Sequence, residues 1–110
     1  MAKPKTKENR ARLQELIQEA TVDCYDEDEQ HVGLLTMIED NVVCPFGARV
    51  IGEEVEVTGF KSPEHGHGLF ALCKHKGHEY RIDVTSLEWP EPHPDGFEWI
   101  EAYLAWREWN

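Results

Sequence analysis

The segment 53-EEVEVT-58 marks the point at which the hydrophobic pattern of the chain takes on a period of two. Val55 and Val57 alternate with charged and polar residues, which is typical of a strand with one buried face. A short apolar stretch, Ala48–Ile51, comes before it, and Gly52-Glu53 predicts the turn of a hairpin between the two. We therefore expect an antiparallel sheet to begin in the middle of the chain.

A second hairpin follows in the sequence. Leu69–His75 and His78–Val84 flank Lys76-Gly77, and the second of these segments alternates between apolar and charged residues. A polar, glycine-containing loop, residues 61–68, separates the two hairpins. Strands of this number and length favour a small antiparallel sheet, either SH3-like or a half-barrel.

Helical periodicity flanks the predicted sheet on both sides. Apolar residues recur at i, i+3, i+4 and i+7 and predict a first helix over Lys7–Val22 and a second over Glu27–Asn41. A proline-rich connection leads to a last helix over Gly96–Trp109, with Asp95 as its cap. Because helices and strands are segregated, the pattern predicts an α+β domain: an N-terminal helical hairpin, the small sheet and a C-terminal helix.

The length of 110 residues fits one domain, residues 1–110, of which we expect residues 1–6 to be disordered. The net charge is −11, and residues 15–110 alone carry six basic against 21 acidic residues. A body of that charge repels phosphate backbones, so we expect no nucleic-acid partner. Cations and a basic protein are the expected partners instead.

Membrane and secretory segments are not expected either. No apolar run approaches the roughly 18 to 20 residues of a membrane span, and the basic N-terminal residues lack the apolar core of a signal peptide. We therefore expect a cytoplasmic protein, monomeric or weakly oligomeric, with no membrane partner.

Two acidic residues, Glu39 and Asp40, end the second predicted helix without a local structural reason. They lie beside backbone carbonyls that already carry partial negative charge. Carboxylate and carbonyl oxygens are the ligands that Ca²⁺ prefers, which makes a calcium site one interpretation. In the alternative, an antiparallel helical hairpin brings basic side chains to this end and neutralises it; the candidates are Lys5, Lys7, Arg10 and Arg12.

The acidic run at the start of the same helix, 26-DEDE-29, is favoured by the helix dipole. About 18 Å of helix separates Asp28 from Asp40, so a single ion cannot join both ends. Two sites, or one site completed by the sheet, are required. An EF-hand loop starting at Asp28 would place Val32, which has no oxygen ligand, at its fifth position, so we expect a site of another kind.

Two further functions stay open from the residues alone. A tetrahedral zinc site would use His65, His67, Cys73 and His75. An SH3-like interaction module would use its acidic surface to bind a basic protein. The sequence holds no catalytic triad order, phosphate-binding glycine loop or His-Glu metal motif, so we do not expect an enzyme.

Two motifs resemble the CcbP family of cyanobacterial calcium-binding proteins. Residues 23–33 follow the pattern D-x-Y-x-[DE]-x-E-Q-x-x-G, and residues 39–46 follow E-D-N-x-x-x-P-F. The resemblance implies a small, acidic, cytosolic Ca²⁺-binding protein that combines helices with a β portion, has no EF-hand and buffers or senses free calcium. It implies Asp40 as the first ligand, Glu39 beside it, and Asp26, Asp28 and Glu29 as a second set.

Overall fold

A computed structural model describes residues 7–64 and 68–109, with side chains from residue 10 onward. The expectation of disorder for residues 1–6 therefore lies outside the described residues. Among the described residues, no helix has the length and apolar character needed to cross a membrane. The elements in chain order are α1 Lys7–Ala20, α2 Glu27–Asn41, β1 Phe46–Val50, β2 Glu53–Lys61, β3 Phe70–His75, β4 His78–Asp83, a 3₁₀ turn Val84–Ser86 and α3 Phe97–Trp109.

The four strands form one antiparallel sheet in the order β1-β2-β3-β4. The predicted α+β class and both predicted hairpins are confirmed. The first turn differs by one residue, because Ile51 and Gly52 form it with φ angles of 49° and 77°. A two-residue turn of this hand needs positive φ at both central positions, which ends β1 at Val50 and leaves the β-branched Ile51 in an unfavourable conformation.

One hydrophobic core joins the helices to the sheet. Apolar residues of α2, the strands and α3 form a single cluster, with Leu34, Ile38, Val57, Ile100 and Tyr103 completely buried. The aromatic residues of the C-terminal helix are thus core residues, as their spacing indicates. Burial of each large apolar side chain contributes about 1.5 to 3 kcal/mol, which holds α2 and α3 in place.

The two N-terminal helices touch through their backbones at Gly33. A Cβ atom built on Gly33 would collide with the carbonyl oxygen of Ala20, at the end of α1. The glycine therefore permits a close approach of α1 and α2. The packing that this approach allows outweighs the roughly 1 kcal/mol of helix stability that glycine costs relative to alanine.

His31 is the one buried polar or charged residue among those that the structure describes. Its Nε2 lies 3.0 Å from the Gly68 carbonyl oxygen and 3.2 Å from the Tyr103 hydroxyl. The Gly68 N–H also points at this nitrogen, at 3.3 Å. Next to it, Trp106 donates from Nε1 to Gln30 Oε1 over 3.0 Å. These polar contacts link α2 to α3 and to the chain before β3.

Replacing Gly33 by alanine should destabilise the protein despite the higher helix propensity of alanine. The added methyl group must displace the Ala20 backbone, and overpacking of this kind typically costs about 1 to 3 kcal/mol. Urea unfolding followed by circular dichroism measures the change. Gly47→Ala is the matched control, because no atom lies within 4 Å of a Cβ atom there. A Gly33→Ala variant as stable as the wild type would contradict the close approach.

Alkaline pH should unfold the protein partly through Tyr103. Burial raises the pKa of its hydroxyl above the ordinary value, while the Arg107 charge opposes the shift and Asp83 adds to it. The unfolded tyrosine ionises near pH 10 and the folded one does not, so its contribution is constant below that pH. Above it, stability falls by at most about 1.4 kcal/mol per pH unit until the folded pKa is reached.

Urea midpoints measured between pH 8 and pH 11 test this coupling. Tyr103→Phe should be less stable at pH 8, because the contact with His31 is lost, and should show a shallower decline above pH 10. Equal slopes for the two proteins would show that Tyr103 does not titrate during unfolding.

Candidate metal site

The acidic start of α2 is organised by two hydrogen bonds from backbone N–H groups to carboxylates. Asp26 is the N-cap residue, and its Oδ1 accepts a hydrogen bond from the Glu29 N–H over 2.8 Å. Glu29 Oε2 in turn accepts one from the Tyr25 N–H over 3.1 Å. The Asp26 carboxylate thereby satisfies one backbone donor that the helix itself leaves without a partner, and the Glu29 carboxylate holds the chain directly before the N-cap. Two of the predicted ligands, Asp26 and Glu29, therefore have a structural role at this end.

The carboxylates at this end also affect the pKa of a neighbouring thiol, that of Cys24. The pKa of Cys24 is raised, first by its burial and then by the charges of Glu29, Asp23 and Asp26. Asp28 lies in the same first turn of α2 and is exposed. A cation placed here would compensate several carboxylates at once.

The C-terminal end of α2 differs from its start, because nothing local favours acidic residues there. Glu39 and Asp40 are exposed, and the last turn holds no basic residue. Asn41 donates from Nδ2 to the Met37 carbonyl, and the Val42 N–H donates to that of Ile38. The last carbonyls of the helix thus share this end with the two carboxylates, and both groups are electron-rich.

Basic residues of α1 were the alternative way to neutralise this end. Instead, the Arg10 guanidinium lies 4.5 Å above the ring centre of Trp109, and Arg12 Nη2 lies 3.5 Å from Glu101 Oε1. Both arginines therefore contact α3. Lys5 and the side chain of Lys7 lie outside the described part of the chain. Among the described side chains, no cation pairs with Glu39 or Asp40.

Asp95, which follows the sheet in the chain, packs against the C-terminal end of α2. The Val43 N–H donates to the Asp95 carbonyl over 3.0 Å. Gly96, with φ of 85°, lies so close to the Asn41 carbonyl that a Cβ atom there would collide with it. The sequence suggested only a capping role for Asp95. Its position beside α2 depends on this long-range backbone contact, which no local pattern reveals.

The C-terminal end of α2 therefore carries the carboxylates of Glu39 and Asp40 and the last helix carbonyls, and the backbone of Asp95 packs directly after it. An open cavity of about 270 Å³ lies next to segment 93–98, and its lining includes the cation Arg12 as well as Asp95 and Glu98. Over residues 7–64 and 68–109, however, no three His, Cys, Asp or Glu side chains converge closely enough to hold a metal ion. A calcium ion would have to draw flexible carboxylates together or keep water among its six to eight ligands.

The zinc alternative finds little support in its described members. Cys73 is 1% exposed, within the core, and burial raises the pKa of its thiol, which disfavours the thiolate that zinc requires. His75 Nδ1 lies 2.9 Å from the Glu54 carbonyl oxygen. His65 and His67 lie outside the described residues. Cys73 and His75 do not belong to any metal-binding group in the part of the chain that the structure describes.

Comparison with known proteins connects this geometry to a family. The crystal structure of Anabaena CcbP is similar to this chain, with a TM-score of 0.76 and 20% sequence identity over 96% of this chain and 94% of that one. At this identity the likeness shows a shared fold. No curated protein matches the sequence.

A family model described as calcium binding, Calci_bind_CcbP, matches residues 14–107. The match includes both acidic ends of α2, the whole sheet and most of α3. The family expected from the two motifs is confirmed, and the chain belongs to the CcbP family of calcium-binding proteins.

Proposed function

We propose that this protein buffers free calcium in the cytoplasm by binding Ca²⁺ through carboxylate and backbone carbonyl oxygens at the ends of α2. The observation that carries the proposal is the uncompensated negative C-terminal end of that helix. Glu39 and Asp40 are adjacent to carbonyls of the same sign and have no described basic partner. A hard divalent cation removes this repulsion, which a water shell only screens.

The C-terminal end of α2 is the proposed first site, with Asp40 as its principal ligand and Glu39 beside it. Asp95 is added to the candidates because its carbonyl binds the Val43 N–H, directly after the helix. Ligands from α2 and from the approach to α3 would give the ion partners that are distant in sequence. Such an ion would stabilise the fold by RT ln(1 + [Ca²⁺]/Kd), where Kd is the dissociation constant of the site.

The N-terminal end of α2 is the proposed second site, with Asp26, Asp28 and Glu29. Support comes from the pKa of Cys24, which burial raises first and the charges of Glu29 and Asp26 raise further. The capping hydrogen bonds engage one oxygen each of Asp26 and Glu29 and leave the second oxygens for a ligand. A site whose carboxylates already serve the helix should hold the ion less tightly than the first.

Buffering is favoured over sensing by the way α2 is fixed. Sensor proteins respond to calcium by moving a helix pair and exposing an apolar groove. Here backbone contacts at Gly33 and Gly96 restrain the middle and the C-terminal end of α2, and its candidate ligands are exposed side chains. We accordingly propose a monomer or weak oligomer whose charge, more than its shape, changes on binding. A role as sensor would require an apolar surface that appears with calcium.

Asp40→Asn should weaken calcium binding at the first site by about 10- to 100-fold. The substitution keeps the size of the side chain and removes the charge of an oxygen ligand, and a loss of this size corresponds to about 1.4 to 2.8 kcal/mol of binding free energy. Isothermal titration of the chelator-treated protein with CaCl₂ measures the affinity. Glu79→Gln, an exposed acid of β4 far along the chain from α2, is the control with the same loss of charge. Unchanged affinity in Asp40→Asn would contradict the assignment of Asp40.

The same variant should be more stable than the wild type without calcium. Removing a negative charge from a helix C-terminus relieves about 0.3 to 1 kcal/mol of repulsion. Thermal unfolding in EGTA and in excess CaCl₂ should therefore show a higher Tm for Asp40→Asn in EGTA and a smaller gain on adding calcium. A lower Tm in EGTA would show that Asp40 has a structural partner.

The Asp28→Asn variant should lose the second site. Titration with CaCl₂ should then show fewer ions bound, with the affinity of the first site unchanged.

Titrations of the wild type with CaCl₂, MgCl₂ and ZnCl₂ compare its affinity for the three metals. Magnesium should bind more weakly because it requires a stricter geometry than these exposed carboxylates provide. A silent calcium titration with a tight zinc response would overturn the proposal in favour of the histidine set.

A further inference from the structure

Asp95 and Gly96 form the only aspartate–glycine or asparagine–glycine pair in the chain. Such a pair can isomerise without an enzyme, because the side-chain carboxyl group precedes an amide nitrogen that no side chain shields. Asp95 is exposed and Gly96 is half-buried, so water reaches the pair. A covalent change at these residues is therefore chemically accessible in the approach to α3.

The reaction proceeds through a cyclic imide. The Gly96 nitrogen bonds to Cγ of Asp95, and the carboxyl hydroxyl leaves as water with the amide proton, which closes a five-membered succinimide ring. Water then opens the ring at either of its carbonyl carbons. Opening at Cγ restores aspartate, and opening at the backbone carbonyl carbon gives isoaspartate, in which the chain continues through Cβ and Cγ. Water leaves in the first step and enters in the second, so the net change requires no oxidant, reductant or cofactor.

The fold requires glycine at residue 96. Its φ of 85° lies in the region that other residues disfavour, and a Cβ atom there would collide with the backbone of Asn41 and Val42. A residue with a side chain, which would slow the attack on Asp95, is therefore excluded by tertiary structure. The packing against the end of α2 keeps a reactive pair in the chain.

The turn that contains this pair also holds its reactive atoms apart. The Phe97 N–H donates to the Pro94 carbonyl over 3.1 Å, and φ is positive at Gly96 but not at Asp95. These features define a type II turn, in which ψ at the position of Asp95 is about +120°. Ring closure requires the Gly96 nitrogen to eclipse Cβ of Asp95 about the Cα–C bond. A ψ of this sign turns the nitrogen away from Cβ, so the native turn opposes the reaction.

A backbone hydrogen bond fixes the turn to the end of α2. The Val43 N–H donates to the Asp95 carbonyl over 3.0 Å. Rotation of ψ at Asp95 moves this carbonyl, so the reactive conformation forms only after the bond has broken. Local openings of this kind occur at a lower free energy than global unfolding. The rate of isomerisation should therefore follow the fraction of molecules in which segment 94–97 has detached from α2.

From these contacts we infer that Asp95 is a site of spontaneous conversion to isoaspartate, and that the turn 94–97 confines the reaction to molecules in which this segment has detached. Isoaspartate adds an atom to the main chain before Gly96 and moves the carbonyl that bound Val43 into a side branch. The native contact cannot re-form in the same register, so the modification makes a transient opening permanent. The inference is independent of the proposed calcium binding, because both the reaction and its restraint belong to the chain itself.

Prolonged incubation of the full chain at neutral pH in EGTA tests the inference. Protease digestion and mass spectrometry measure isoaspartate at residue 95, which changes the retention of a peptide without changing its mass, and H₂¹⁸O labels the product of ring opening. The folded wild type should convert about tenfold more slowly, or slower still, than the same chain in guanidinium chloride. Asp95→Glu keeps the charge and should convert in neither state, because a six-membered ring closes far more slowly.

Val43→Pro tests the restraint directly, because it removes the N–H that binds the Asp95 carbonyl. Val42 has φ of −80° and ψ of 119°, which a following proline accepts, and Val43 is exposed. The folded variant should form isoaspartate several-fold faster than the folded wild type, and the two should react equally in guanidinium chloride. Its urea midpoint shows whether it folds, and the comparison of folded with unfolded wild type decides the inference if it does not.

The effect on the fold is measured after refolding. Wild type that has isomerised in guanidinium chloride should refold with a lower urea midpoint than fresh protein, whereas Asp95→Glu treated in the same way should keep its midpoint. Equal rates in folded and unfolded wild type, no isoaspartate at residue 95 of the unfolded chain, or a folded Val43→Pro variant that reacts no faster would each overturn the inference. An unchanged midpoint of the isomerised protein would overturn it also.

Discussion

The backbone contact between Gly33 and the Ala20 carbonyl determines where both acidic ends of α2 lie. It sets the distance between α1 and α2, since any side chain at residue 33 would separate them. With that distance fixed, the buried face of α2, formed by His31, Leu34 and Ile38, faces the core and the acids lie outside it. The candidate calcium ligands are exposed because the opposite side of their helix is so firmly anchored.

The energies involved explain why an unfavourable charge arrangement survives in a stable fold. Complete burial of Leu34 and Ile38 contributes about 1.5 to 3 kcal/mol for each side chain. An acid at the C-terminus of a helix costs about 0.3 to 1 kcal/mol when exposed to water. Packing therefore outweighs the repulsion at Glu39 and Asp40, and the fold can keep two carboxylates that contribute nothing to its own stability. The proposed role of these carboxylates in calcium binding is consistent with this balance.

Local patterns in the sequence predicted what local physics controls. Alternation at Val55 and Val57 gave the strand, and the acidic run before Gln30 gave the start of α2, because burial periodicity and capping are properties of neighbouring residues. Contacts between distant residues could not be predicted this way. The packing of Asp95 and Gly96 on the end of α2, the bonds of His31 to Gly68 and Tyr103, and the course of segment 88–91 beside β1 depend on tertiary structure. The position of Ile51 in the first turn could not be predicted either, because β-branched residues rarely adopt positive φ.

The two ends of α2 differ in what a cation would do to the protein. At the N-terminus the carboxylates of Asp26 and Glu29 already stabilise the helix, so an ion there competes with hydrogen bonds that the fold uses. At the C-terminus no such competition exists, and an ion removes a repulsion that was present before it arrived. The number of acidic groups at each end therefore does not by itself set the affinity. In the proposed arrangement, the end that is worse for the helix is the better one for calcium, which would tie the binding free energy to a repulsion that packing elsewhere in the fold outweighs.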